Sequence, residues 1–193
     1  MEAPRETIIA QAARLFAEKG FEQTSLQDVA SAVGVSKAAV YHYFRSKQVI
    51  YDEIVVGLLE GLHEYVEPRV MAEPRIERRV EAFMRAHAEY FEQNYAGFVA
   101  LLHGVSGIGA AVGSERQVAV RDRYEALLRS LLSEGIAAGK FATDDVALTT
   151  RGILSMLNWM SRWYKPGGPK RAAQVAEHYS RMVHDGLFTS VGR

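Results

Sequence analysis

Between Ser36 and Lys47 the chain reads Ser-Lys-Ala-Ala-Val-Tyr-His-Tyr-Phe-Arg-Ser-Lys, with the cations Lys37, Arg45 and Lys47 and no carboxylate among them. Lysine charge and the short polar tips of tyrosine and histidine are the chemistry that engages phosphate oxygens and base edges. Helical spacing sorts these groups. Val40 and Phe44 lie four apart and share a core-facing side, so Lys37, Ala38, Tyr41 and His42 point outward. Small Ala38 allows close approach to base edges, where its methyl can touch a thymine methyl, and Lys37 can reach a guanine edge or a phosphate. Tyr41, His42 and Tyr43 are suited to phosphates. Because these three are consecutive, they cannot all be buried on one helix face, which argues against a plain three-helix bundle. Lys47 falls in the first turn of the following helix, where free backbone N–H groups favour an anion, and Thr24 and Ser25 offer the same at an earlier helix start.

These groups need helices to place them, and the sequence supplies the signals. Pro4 opens a helix with the apolar stripe Ile8, Ile9, Ala12, Ala13, Leu15 and Phe16, and Gly20 stops it. Ser25 followed by Asp28 reads as a capping box before Leu26, Val29, Ala30 and Val33. Gly34 breaks the chain, Ser36 caps a short helix through Tyr43, and Ser46 caps a longer one expected to end near Glu67, before Pro68. Two short helices joined by a glycine turn and braced by a longer one are the plan of a major-groove reader. Further helices are expected from Pro74 to about Gly97, from Phe98, over Glu115–Ala138, from a Thr143 cap to Tyr164, and from 170 to about 188. Lys165-Pro-Gly-Gly-Pro169 is a firm break. The expected fold is all-α with about nine helices: a helix-turn-helix domain over 1–47 and a ligand-binding and dimerisation domain over 48–193.

The 193 residues hold 23 Lys+Arg and 23 Asp+Glu, so nucleic-acid contact must rest on local placement of charge rather than on net charge. The absence of cysteine excludes disulfides, thiolate metal sites and thiol redox sensing. The polar start Met-Glu-Ala-Pro-Arg and the lack of a long apolar run predict a cytoplasmic protein with no membrane segment. His87 and His103 with scattered Glu could be imagined as acid–base or metal groups. However, there is no His-Glu-x-x-His, no serine elbow and no Walker loop, so no enzyme, metal or cofactor is expected.

The segment AARLFAEKGFEQTSLQDVASAVGVSKAAVYHYFRSKQVIYDEIV closely resembles the DNA-binding domain of the TetR family of repressors. The likeness lies in Phe-x-x-x-Gly-Phe, Thr-Ser before the second helix, Ala-x-x-x-Gly-Val-Ser in the turn, and Tyr-x-Tyr-Phe-x-x-Lys after it. The resemblance implies an all-α homodimer on double-stranded operator DNA, released when a small molecule binds a variable C-terminal domain. It assigns Thr24, Ser25, Tyr41, Tyr43 and Lys47 to phosphates, and Lys37, Ala38 and His42, after the cap Ser36, to the base-proximal face. Many members read Tyr-Tyr-His-Phe or Tyr-Tyr-Tyr-Phe where this chain has Tyr-His-Tyr-Phe.

The remaining ~140 residues exceed what a DNA reader requires. A four-helix dimer interface is expected from the last two long helices, through Met156, Met160, Val175, Tyr179 and Met182; the alternative is a purely internal core. Aromatic and polar residues near helix centres predict a ligand chamber lined by His87, Tyr90, Phe91, Phe98, Leu102, His103, Asn158, Trp159, Arg162 and Trp163, against the alternative that each is ordinary core or surface. Arg162, Lys165, Lys170 and Arg171 around the Pro-Gly-Gly turn suit phosphates or a solvated loop equally. The segment GILSMLNWMSRWYKPGGP is similar to a TetR subgroup governing fatty-acid, phenylacetate or steroid-ring degradation. That resemblance implies an acyl-CoA effector; the alternative is a multidrug-type sensor of aromatic compounds, which a buried acid facing the aromatics would favour.

Overall fold

The computed structural model describes residues 5–104 and 114–187, with side chains described for 5–101 and 114–185. Among these residues are nine helices and no strand: α1 (Arg5–Lys19), α2 (Leu26–Val33), α3 (Lys37–Tyr43), α4 (Lys47–Met71), α5 (Ile76–Gln93), α6 (Tyr95–Gly104), α7 (Glu115–Ala137), α8 (Val146–Trp163) and α9 (Ala172–Leu187). This is the expected all-α architecture. No helix among the described residues is long and apolar enough to cross a membrane.

Local chemistry explains most helix ends. Ser25 caps α2 through a complete capping box with Asp28: the Asp28 N–H donates to the Ser25 hydroxyl (3.1 Å), and the Ser25 N–H donates to the Asp28 carboxylate (2.8 Å). At the other end Gly34 adopts φ +79°, where a Cβ would be strained, and the Gly34 and Val35 N–H groups both donate to the Ala30 carbonyl. Ser36 and Ser46 cap α3 and α4 by accepting from Ala39 and Val49. Two expectations need correction. α4 does not stop at Glu67 but passes through Pro68 to Met71, because Val66 and Val70 on either side of the proline are fully buried and hold the last turns in place. The cap of α8 is Asp145, which accepts from the Leu148 N–H at 2.9 Å, while Thr143 bonds the Thr149 hydroxyl instead.

The chain divides into two compact units, 1–59 with 94–119, and 60–93 with 120–193. α4 and α7 each run continuously from one unit into the other. The first unit is therefore larger than the 1–47 segment read from the sequence. It also takes in the start of α4 and all of α6, because α6 packs on α1. The Tyr51 hydroxyl donates to the Leu101 carbonyl (3.1 Å), and Gly97 leaves room for Leu58, whose Cδ1 lies 3.0 Å from where a Cβ would stand. Glu53 accepts from both Arg5 and Arg116, and the Arg5 hydrogen bond leads in holding its carboxyl below the usual range. Phe16, Phe21 and Tyr51 form an aromatic cluster at the heart of this unit.

In the second unit α5 packs against α9 and α8. Val80, Phe83, Met84 and Phe91 of α5 meet a core that includes Leu128, Leu131, Ile153, Leu157, Met160 and Ala176. Burying side chains of this size contributes about 1.5–3 kcal/mol each, before the entropy of ordering is set against it.

Candidate functional site

The outward face of α3 stands as the spacing requires. Val40 and Phe44 are buried, whereas Lys37, Ala38, Tyr41 and His42 are exposed and Tyr43 is half-buried. The Lys37 ammonium lies 5.7 Å from the Tyr41 ring centroid, and the His42 ring meets Tyr43 edge-on at 5.2 Å. One solvent-facing surface thus carries a cation, a small residue and two polar rings, which suits a groove of alternating phosphate and base edges. Exposed Ser36 spends its oxygen on the helix cap rather than on a ligand.

The three groups flanking this face differ from the sequence reading. Thr24 is 2% exposed, and its hydroxyl donates to the Gly20 carbonyl at 2.9 Å, so its side chain braces the turn after α1 and offers no donor outward. The Ser25 hydroxyl is held by Asp28 at 2.6 Å, a bond that also keeps the Asp28 carboxyl below its usual range. The Lys47 ammonium turns inward: it donates to the carbonyls of Phe21 (2.9 Å) and Glu22 (3.1 Å) and sits over the Phe21 ring. An ammonium on backbone carbonyls, with cation–π support, ties the start of α4 to the connection before α2. These three side chains therefore brace the frame around α3, whose outward face stays exposed.

The residues expected to line a chamber separate into three groups. His87, Tyr90 and Phe91 come together on α5, in the second unit. His87 is fully buried among Phe83 and Tyr124, and its Nδ1 bonds the Tyr124 hydroxyl at 3.0 Å. Burial pushes the imidazole down to about 3 and the Tyr124 phenol up, so both are neutral near pH 7. The Tyr90 hydroxyl occupies the space where a Cβ on Gly61 would stand, so the glycine admits α5 close to α4. Phe98 is buried in the first unit, not the second, because α6 belongs to the packing around α1. The side chains of Leu102 and His103 lie outside the described residues. Asn158, Trp159, Arg162 and Trp163 are a correction: they face outward, because α8 turns Thr150, Ile153, Leu157 and Met160 inward.

The expected dimer residues also need sorting. Met160 is fully buried and Val175 nearly so within the one chain, so both are core and cannot meet a partner. Met156 and Tyr179 are half-buried and Met182 is exposed. The outward faces of α8 and α9 carry large apolar side chains at Leu148 (64% exposed), Trp159 (62%), Trp163 and Met182 (57%). An exposed apolar surface of this kind marks an interaction site.

Glu92 fixes the loop between α8 and α9. It accepts from the Tyr164 hydroxyl and the Ala172 N–H, and it pairs with Arg171, so one carboxylate pins both ends. Burial and this carboxylate push the Tyr164 phenol up to about 12, which keeps it a donor. Beside the loop is a groove of about 580 Å³, lined among others by Trp163, Lys165, Lys170, His178, Tyr179 and Arg181. The sequence reading passed over His178 and Arg181. Their signal is the spacing Gln174, His178, Arg181, which sets one polar helix face beside the apolar stripe Val175, Tyr179 and Met182.

Residues 8–54 match the bacterial regulatory proteins of the tetR family, and residues 73–187 match the tetracyclin repressor-like C-terminal domain. The HTH-type transcriptional repressor KstR2 of Mycolicibacterium smegmatis is 30% identical over 191 residues, which cover 97% of this chain and 92% of the relative. The solved structure of the ketosteroid transcriptional regulator KstR2 of Mycobacterium tuberculosis superposes with a TM-score of 0.81 at 28% identity, covering 96% of this chain and 95% of that one. The TetR family transcriptional regulator PfmR of Thermus thermophilus superposes with a TM-score of 0.84 at 43% identity, covering 96% and 99%.

Proposed function

Since the chain belongs to the tetR family of bacterial regulatory proteins, and so is a DNA-binding transcription regulator rather than an enzyme, we propose that it is a homodimeric repressor released from its operator by an acyl-CoA thioester, controlling genes for the breakdown of a fatty or ring-bearing acid. The likeness to KstR2, a ketosteroid transcriptional regulator, runs through both units rather than the DNA reader alone and supports a ring-bearing compound as the regulated substrate; the thioester form rests on the resemblance of the GILSMLNWMSRWYKPGGP segment.

Two copies associate through the outward faces of α8 and α9, where Leu148, Trp159 and Met182 would lose their water. The dimer presents two α3 helices about 34 Å apart, one DNA turn, to successive major grooves. Lys37, Ala38 and His42 approach base edges, and Tyr41 and Tyr43 approach phosphates. The thioester's acyl part enters the second unit near His87, Tyr90 and Phe91. A ligand shifts an equilibrium only by its difference in affinity between two states, and α4 and α7, continuous through both units, are the elements able to carry that difference.

The alternative of a multidrug-type sensor of aromatic compounds calls for a buried acid facing the aromatics. The acids beside aromatic rings are instead engaged or exposed: Glu92 is held by Tyr164, Ala172 and Arg171, half-buried Glu89 accepts from the Tyr65 hydroxyl, and Glu64 near Tyr90 is exposed. Calorimetry of the full chain with a panel of acyl-CoAs tests the effector: at least one thioester binds with Kd below ~100 µM, and failure of the whole panel to reach that affinity overturns the reading.

A further inference from the structure

We propose that Arg45, which follows Phe44 at the end of α3, is a phosphate-binding residue of the DNA interface and makes the backbone contact that Lys47, turned inward, does not. The proposal rests on the chain's DNA-binding role and is independent of the effector.

Three observations carry it. The first is the distribution of charge. DNA affinity draws largely on cations that neutralise phosphates, and the cations of residues 5–59 are Arg5, Arg14, Lys19, Lys37, Arg45 and Lys47. Arg5 is paired with Glu53, and Arg14 with Glu18. Lys19 acts on Asp28, helping to hold that carboxyl below its usual range. Lys47 donates to the carbonyls of Phe21 and Glu22, and its charge is set against the Glu22 carboxylate at 3.7 Å. Lys37 and Arg45 remain, both exposed and neither paired with an acid among the described residues. Lys37 belongs to the outward face of α3, with its ammonium near the Tyr41 ring. Arg45 is the cation left for the DNA backbone.

The second is the lack of opposing charge along the chain. No carboxylate occurs from Ser36 to Lys47, and the first turn of α4 holds no acid. A phosphate approaching Arg45 therefore meets no like charge from the sequence on either side.

The third is anchoring. Phe44 leaves the helix in an extended conformation (φ −136°, ψ 118°), and its N–H donates to the Val40 carbonyl at 2.9 Å. Its ring is buried, with the Arg5 guanidinium 5.2 Å from the centroid. On the other side Ser46 caps α4 by accepting from the Val49 N–H, and Lys47 is tied to the Phe21 carbonyl. The backbone on both sides of Arg45 is thus fixed while its side chain stays in water. A mount so held loses little freedom on binding, and the planar guanidinium fork matches two phosphate oxygens at once.

The test measures binding of the full-length chain to a duplex of random sequence and to duplex DNA from upstream of its gene, by fluorescence anisotropy over a range of salt. Arg45→Ala is expected to weaken both duplexes by a similar factor, about tenfold near physiological salt. It should also reduce the slope of log affinity against log salt by ~0.9 for each bound chain, and it should melt at the wild-type temperature. Arg45→Lys, which keeps the charge and loses the fork, should keep the slope and recover part of the affinity. An unchanged salt slope in Arg45→Ala overturns the proposal, with or without a lowered melting temperature. So does a loss confined to the upstream duplex, which would make Arg45 a reader of base edges. No thioester enters the experiment, so the effector reading stands or falls separately.

Discussion

The Lys47 ammonium lies 2.9 Å from the Phe21 carbonyl oxygen and 4.5 Å from the centroid of the Phe21 ring. The residue that sequence spacing sends to a DNA phosphate instead fastens α4 to the α1–α2 connection. Lys47→Ala is expected to lower stability by about 1–2 kcal/mol, the scale of a partly exposed charged hydrogen bond. It should weaken binding to all DNA sequences alike, through misplacement of α3. The slope of log affinity against log salt should stay near that of the wild type. A slope reduced by ~0.9 with unchanged thermal stability would return Lys47 to the phosphates.

Lys37 stands on the exposed face of α3 with its charge near the Tyr41 ring, and no acid among the described residues pairs with it. Lys37→Ala should change which operator is preferred, while Tyr43→Phe should weaken every sequence by a similar amount, about 0.5–1.5 kcal/mol. Binding measured across a randomised operator pool separates the two effects. A uniform loss for Lys37→Ala would make it a phosphate contact.

Neighbouring residues on α8 should behave in opposite ways. Met160 is fully buried, so Met160→Ala should cost about 2–5 kcal/mol of stability in any oligomeric state. Trp159 is 62% exposed, so Trp159→Glu should leave the fold of the single chain intact and dissociate the dimer. Sedimentation and thermal unfolding read both properties. A Trp159→Glu protein that remains dimeric would move the interface elsewhere.

His87 makes stability depend on pH. Its folded value lies near 3, against an ordinary value of 6.5, so the unfolded chain binds a proton that the folded one refuses. Stability from this group is complete above about pH 6.5 and is lost as pH falls through the window towards 3, the loss amounting to about 2 kcal/mol at pH 5. His87→Gln, which keeps a polar group for Tyr124 and does not titrate, should flatten that dependence in denaturant midpoints measured from about pH 7 to 5. An unchanged slope would place the acid sensitivity on other groups.

Much of the reading head was legible in the chain because its signals are local. Ser25 with Asp28, Gly34, Ser36 and Ser46 each act within one turn, and the four-residue spacing of Val40 and Phe44 is enough to set which face of α3 is exposed. What was not legible depends on partners far along the sequence. The hydroxyl of Thr24 and the ammonium of Lys47 find backbone carbonyls that exist as acceptors only once α1 and α4 have met. By sequence Phe98 begins a helix of its own and joins the α5 aromatics in a chamber, yet α6, which already starts at Tyr95, packs on α1. On α8, tryptophans mark the outer face and smaller residues the inner one, so hydrophobicity alone points the helix the wrong way. Only the packing of Ile153, Leu157 and Met160 shows which side is core.

The most direct test of a ligand-released repressor is a gel shift with duplex DNA from upstream of the gene that encodes the chain, titrated with CoA thioesters and with the matching free acids. The account predicts a retarded complex that one thioester dissolves at micromolar concentration while its free acid leaves it intact. A complex that persists with every thioester, or that dissolves equally with free acids, would contradict it.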